Sequence, residues 1–198
     1  LEEINKFDCE KICNVVAVPY LECLNRNSLR DRKVPEDVIK RMYLNFYMPQ
    51  YYEGWDKIYF IWNIDFNTNV FDIKELFSGK DGLNFISQDN PHHTLSIGYH
   101  CSYSAALVES ETEDKHIYLA ALYHDIGKKF TKVFNNYKGE STDIAHYYNH
   151  MNVSVYDAMF YLKDKGYSDK DILDICELIQ WHMQPFFIET DKAKNKFI

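Results

Sequence analysis

Apolar residues recur along this chain in two rhythms, and the rhythm changes near residue 90. The first half opens with Lys11-Ile-Cys-Asn-Val-Val-Ala-Val18, a β-branched apolar run closed by Pro19, which predicts a buried strand. A helix is expected near Tyr20 to Asn25. Pro35 then opens a second helix, with Glu36 and Asp37 suited to its first turn, an apolar stripe of Val38, Ile39, Met42 and Phe46, and Pro49 as its end. Ile58-Tyr-Phe-Ile-Trp62 is a second strand, Val70–Phe77 a short helix, and Ser78–Gly82 a turn. From Ser96 onward the apolar spacing is three and four. Ile97, His100, Cys101, Ser104, Ala105 and Val108 predict a helix over 96–110, and Ile117, Ala120, Ala121 and His124 one over 113–126, stopped by a left-handed Gly127. Thr131 to Thr142 reads as a polar connection or a lid over the site, the plain connection being favoured. A third helix is expected from Ala145 to Lys165, halted by Gly166, with His146 and His150 on one face in line with Val153 and Asp157. A fourth begins at a capping-box-like Ser168…Asp171 and carries Ile172, Ile175, Cys176, Ile179 and His182 inward, ending near Pro185.

Composition narrows the class. The chain has 198 residues, 46% of them hydrophobic, a mean hydropathy of -0.44 and no run of roughly 18 apolar residues that would cross a bilayer. No leader is apparent at the acidic, mixed start, and a first residue of Leu1 rather than Met suggests a piece of a longer protein. The net charge of -8 argues against broad electrostatic capture of nucleic acid. Tyr and Phe, 16 and 13, supply rings for a core first and for base stacking second. The five cysteines form no C-x-x-C pair, which fits reduced thiols and a cytoplasmic location.

Histidine is the informative residue. All eight lie from His92 onward. Four predicted helices each place one at or beside the apolar stripe: His100, His124, His150 and His182. Taken singly, each reads as a core residue with a local partner. Four imidazoles buried separately would each need such a partner, whereas one or two shared cations would satisfy them all. Asp125, next to His124, sits where the helix dipole disfavours an anion, which a nearby cation explains. Lys128, just beyond Gly127, suits an anionic, phosphate-bearing substrate. The basic turn Asn25-Arg-Asn-Ser-Leu-Arg-Asp-Arg-Lys33 reads either as a solvated loop or as a phosphate clamp.

Two resemblances follow. "NPHHTLSIGYH", "LYHDIGKKF", "AHYYNHMNVSVYDA" and "ELIQWHMQPFF", in that order, resemble the HD-domain metal-dependent phosphohydrolase superfamily over about residues 90–187. The segment over about residues 10–64, with "LNRNSLRDRKVPEDVIKRM" after a strand ending in Val-Pro, resembles the C-terminal part of a P-loop polynucleotide-kinase-like domain. It has no G-x-x-x-x-G-K-[ST], so no kinase activity is expected. The implied fold class is mainly α: an HD-type helical bundle preceded by a small α/β remnant of a P-loop kinase-like domain. The implied domains are 1–64, a junction over 65–90, and 91–198, with a final family Asp expected past Ile198, since Asp191 sits in a polar, lysine-rich tail.

The first resemblance implies metal ligands His100, His124, Asp125, His150 and His182. Asp125 and Lys128 are the implied catalytic pair, and Lys128 and His146 are set against substrate, His146 reading equally as an exposed helix histidine. The second implies a lid role on the nucleotide phosphates for Arg30 and Arg32. The cofactor is one or two divalent ions, and ligand type does not separate Mn, Fe, Co, Ni, Zn and Mg. The expected reaction is hydrolysis of a phosphoester of a nucleotide, another phosphorylated small molecule or a nucleic-acid end. A non-catalytic nucleotide- or partner-binding module and a di-iron oxygenase with the same ligand set stand as alternatives. No membrane partner is expected, and the oligomeric state is open.

Overall fold

The structure is a computed structural model that describes residues 6–66 and 71–188. It is mostly helical, with two small two-stranded sheets. No helix among the described residues is long and apolar enough to cross a membrane. Asp191 lies outside the described residues.

Strand β1 (Ile12–Ala17) is followed by α1 (Tyr20–Ser28), α2 (Glu36–Leu44) and β2 (Lys57–Trp62), which pairs parallel with β1 from Ile12↔Lys57 to Ala17↔Trp62. Pro19 and Pro35 stand as the caps of the two helices, as their fixed φ favours. α2 stops at Leu44, five residues short of Pro49, and its inward residue is Tyr43, while Met42 is 69% exposed. Of the expected stripe, Val38, Ile39 and Phe46 are half-buried, with Phe46 against the core, and Met42 turns outward. Tyr43 stacks on Tyr20 with centroids 4.3 Å apart, and an aromatic ring there buries more area than a methionine.

α3 (Ile73–Ser78) leads into the second half. There α4 (Ile97–Glu111) and α5 (Lys115–Tyr123) pack on each other, and α7 (His150–Asp164) packs on α8 (Asp169–Trp181), which also contacts α5. Ser96 caps α4, Asp114 caps α5, and Ser168 with Asp171 forms the reciprocal box at α8. Gly166 ends α7 at φ +83.

Three expectations need correction. Gly127 is right-handed (φ -67, ψ -16), so it is not a left-handed stop. It is glycine because an added Cβ would lie 2.4 Å from the His150 carbonyl oxygen and 2.5 Å from the Ser154 nitrogen. The stretch after it continues as the short α6 (Lys128–Thr131) and then a hairpin, β3 (Lys132–Asn135) against β4 (Ser141–Tyr147), not a plain connection. Finally, the helix expected from Ala145 begins only at His150. His146 is on β4, and Asn149 turns the chain at φ +59, so His146 and His150 do not share a helix face.

One apolar cluster runs through both halves, joining Val15, Ala17 and Ile58 of the parallel pair to Phe71, Tyr123, Phe160, Ile172 and Ile179. Phe160 is its hinge, stacked on Phe71 at 5.5 Å and set edge-on to Trp62 at 6.0 Å.

Candidate metal centre

The short turn between α5 and α6 carries His124 and Asp125. Asp125 is only 2% exposed, and the side chains around it come from four other places in the chain. On one side, His100 Nε2 of α4 and His124 Nε2 lie 3.3 and 3.2 Å from Asp125 Oδ2 and 3.1 Å from each other. On the other side, His150 Nε2 at the start of α7 and His182 Nε2 at the end of α8 lie 3.3 and 3.7 Å from Asp125 Oδ1 and 3.2 Å from each other. One carboxylate thus faces two pairs of imidazoles.

The ring orientations are fixed by local hydrogen bonds. His124, His150 and His182 each donate Nδ1–H to the carbonyl three residues earlier, those of Ala121, Tyr147 and Ile179, at 2.7, 2.8 and 2.7 Å. A backbone acceptor on one ring nitrogen leaves the other as a lone-pair donor. Each lone pair is turned inward, toward another lone pair and a carboxylate.

The charges follow from this packing. Burial alone would raise the Asp125 carboxyl, but the surrounding imidazoles, His124 first, outweigh it and hold it well below the usual carboxylate range. Burial likewise pulls His124 down, and the Asp125 carboxylate overcomes it, so the net direction is up. His182 is pushed down to about 4 by burial and by His124. Lys128 Nζ is 2.7 Å from Asp125 Oδ2 and donates to Gln88 Oε1 at 2.8 Å.

The structure brings His100, His124, Asp125, His150, His182 and Lys128 together in one cluster and adds His93 to it. Its Nε2 lies 3.4 Å from Lys128 Nζ, its Nδ1–H donates to Asn90 Oδ1 at 2.9 Å, and its ring meets His100 edge-on at 5.1 Å. Burial and the neighbouring Lys128 push it down to about 4. Two sets of potential ligand atoms lie close enough for an ion: His93, His100 and Asp125, and His124, Asp125 and His182. The signal for His93 was the Asn90-Pro-His-His93 turn before a histidine-bearing helix. Gln88 and Tyr147, whose hydroxyl donates to the Gln88 carbonyl at 2.5 Å, were not singled out at all.

A cavity of about 970 Å³ opens over the cluster. His146 lines it from β4, stacked on Tyr148 at 5.5 Å, and Ile117, Ile144, Leu178 and Phe186 give it apolar walls. Arg30 and Arg32 do not line it. They lie exposed on the loop after α1, which the Asn27 side chain closes by bonding the N–H and carbonyl of Val34, both at 2.8 Å.

The HD domain family matches residues 92–196, more than half of the chain. The chain belongs to the HD domain family. Most of that family are metal-dependent hydrolases, and the matched range begins at the turn that supplies His93 and includes every residue of the cluster. Neither a curated protein nor a solved structure shows significant similarity to the chain.

The HD residues fit a divalent cation on a test independent of that match. Asp125 Oδ1 is a buried oxygen without a hydrogen-bond partner, facing two imidazoles whose protons are spent on the backbone. An acceptor surrounded by acceptors is costly unless a cation is shared among them. Nitrogen with one carboxylate suits a first-row divalent metal without choosing among them.

Proposed function

We propose that this HD protein hydrolyses a phosphoester of a nucleotide or of a nucleic-acid end with the help of one or two divalent ions. The observation that supports the reading most is the division of Asp125 between two imidazole pairs, Oδ2 toward His100 and His124 and Oδ1 toward His150 and His182. These residues, with His93, would hold the ions. A divalent ion bound there supplies Lewis acidity toward a phosphoryl oxygen and lowers the pKa of a bound water.

The protein's own groups have separate tasks. The carbonyls of Ala121, Tyr147 and Ile179 fix the rings of His124, His150 and His182. Lys128, only 5% exposed, is a positioning residue for Asp125: its ammonium lies between Asp125, Gln88 and His93. His146 is the group on the cavity wall best placed to meet a leaving oxygen, since it is half-buried and outside the cluster. A substrate seated against the apolar walls would displace water from around the charges, which strengthens each electrostatic contact.

The N-terminal segment is read as the C-terminal part of a P-loop kinase-like domain without kinase activity. Its support is the parallel β1–β2 pair crossed over by α1 and α2, one face of which leaves Ile12, Val16, Tyr59 and Ile61 between 43 and 61% exposed. Parallel sheets are almost always covered on both faces, so this face suits the interior of a larger α/β layer.

The test is elemental analysis and phosphatase turnover together, on the wild type and on His124→Ala, with chromogenic phosphomonoesters and phosphodiesters and with Mn, Mg, Ni, Co or Fe added in turn. Metal and turnover both present in the wild type and both lost in the variant are expected. Turnover that survives His124→Ala overturns the reading. Nucleotide binding without turnover under any ion would mark a binding module, and iron-dependent oxygen uptake an oxygenase.

A further inference from the structure

A second cavity, of about 1000 Å³, lies on the other side of the turn that carries Asp125. Asp125 and Lys128 face the metal cavity, while Ile126, Lys129 and Phe130 of the same turn line this one. Its other walls are Tyr20 of α1, Tyr43 of α2, Phe71, and Asp157, Phe160 and Tyr161 of α7.

Asp157 is the group that folding does not explain. It sits half-buried on α7, beside the fully buried Ala158, Met159 and Phe160, and its carboxyl has one hydrogen-bond partner among the described residues, the Tyr43 hydroxyl donating to Oδ2 at 2.7 Å. Burial pushes this carboxyl up to about 7, with the Tyr43 bond pulling the other way. A carboxyl half-buried at the cavity wall with one protein partner keeps most of its acceptor capacity for whatever enters the cavity.

The rim is acidic. Glu22, Asp65, Asp72, Glu75 and Asp81 line the cavity against three cations. Two of those cations are held locally: Arg26 by Glu22 at 2.6 Å and by the Asn63 carbonyl at 3.0 Å, and Lys129 by the Asp81 carbonyl at 2.7 Å. Aromatic walls select a flat ring, a carboxyl at the wall selects N–H donors, and an acidic rim repels a phosphate.

We propose that this second cavity binds a planar aromatic ligand that carries an amidine-like N–H edge and no phosphate, with Asp157 accepting from that edge and the Tyr20, Phe71 and Phe130 rings enclosing the plane. A nucleobase and an arylamidine share this chemistry. The site is separate from the metal cavity and does not depend on hydrolysis.

Calorimetric titration of the full chain with guanosine and with benzamidine tests it, with benzoate and guanosine monophosphate as anionic controls. Saturable binding of at least one of the first two is expected, with both controls weaker. Guanosine alone would mark a nucleobase site, and benzamidine alone an amidinium site. Asp157→Asn, which keeps the shape, is expected to weaken the binding roughly tenfold or more, the loss of a hydrogen bond to a charged group. Tyr20→Ala is expected to weaken it as well, and a folded Tyr20→Ala keeps the test decisive if Asp157→Asn does not fold. His124→Ala is expected to leave it unchanged, so that failure of the metal reading and failure of this one are told apart. Absence of binding at several millimolar, equal binding of benzoate, insensitivity to both Asp157→Asn and Tyr20→Ala, or loss of binding in His124→Ala each overturns the proposal.

Discussion

Asp125 is 2% exposed and Asp157 half-buried at a cavity wall, and their surroundings drive the two carboxyls in opposite directions. Asp125 is enclosed by four imidazoles and Lys128 and is held well below the ordinary carboxylate range. Asp157 has aromatic neighbours and a hydrogen bond from one of their phenols, and is pushed up to about 7. Burial is the leading influence on both, and it is the company that sets the direction. A buried acid surrounded by lone pairs and one ammonium is prepared for cations, whereas a buried acid among rings is prepared for a donor. The comparison can be broken by changing the company of one acid at a time.

The largest effect is expected for Lys128→Met. It removes the ammonium 2.7 Å from Asp125 and leaves a buried carboxylate without its fixed cation, at a cost of about 3 kcal/mol in chelator-treated protein. A divalent ion that binds the cluster offsets most of that cost. Chemical denaturation with chelator and with saturating Mn²⁺ checks it. An equal loss in both would mean that Asp125 does not share a cation with the imidazoles.

Asp157→Asn should move stability the other way. The wild-type acid has a folded pKa of about 7 against an ordinary aspartate value of 3.8, so between these values the folded state holds a proton that the unfolded state has released. Stability contributed by this group is present at low pH and is lost as pH rises toward 7 and beyond. The variant lacks that loss, so it should gain roughly 3 kcal/mol over the wild type at pH 8 and almost nothing at pH 4. Its denaturation midpoint measured at both pH values decides this. A gain that does not change with pH would place the effect in packing and not in ionisation.

How far these two acids were legible in the sequence differs for physical reasons. Asp125 announces itself because its partners follow helical spacing: His100, His124 and His182 sit at or beside apolar stripes of α4, α5 and α8, and periodicity reports a face. His146 was misplaced because its distance of four from His150 fits a helix, although Ser141-Thr-Asp-Ile-Ala-His-Tyr147 carries the alternation of a strand. His93 was passed over because a turn has no periodicity to place its side chains. Asp157 is the opposite case. Its spacing from His150 and Val153 was visible, but its hydrogen-bond partner Tyr43 is 114 residues away, and its cavity draws on α1, α2, α6 and α7 at once. Strands β1 and β2 were readable as apolar runs. The parallel pairing between them, with α1 and α2 as the crossover, is a tertiary fact that neither run contains.

Gly127→Ala tests whether the wall between the cavities is as thin as its packing indicates. The new Cβ would meet backbone atoms of His150 and Ser154, which cannot rotate away, at 2.4 and 2.5 Å. Overpacking of this kind costs about 2 kcal/mol. It should also weaken Mn²⁺ binding, because the turn that carries Asp125 must lift away from the start of α7, where His150 sits. A variant with lowered stability and unchanged metal affinity would show that the turn moves as one body with α7.

The smallest effect is expected for Tyr43→Phe, and its dependence on pH is more telling than its size. The hydroxyl donates to Asp157 Oδ2, and that bond lowers a carboxyl that burial raises. Removing it should lift the Asp157 pKa further above 7. Below pH 6 the acid is protonated in both proteins, and the cost is that of one neutral hydrogen bond, about 1 kcal/mol. Above pH 8 the wild-type carboxylate loses a charge-assisted bond, and the cost should roughly double. The phenols of Tyr156 and Tyr161 also face Asp157 but remain neutral through this window, both being pushed well above their ordinary range by burial. In an Asp157→Asn background the same Tyr43→Phe change should cost the same at both pH values, because the charge that made the bond pH-dependent is gone. A cost that still rises with pH there would mean that Tyr43 acts on some group other than Asp157, and the contrast between the two buried acids would lose its physical basis.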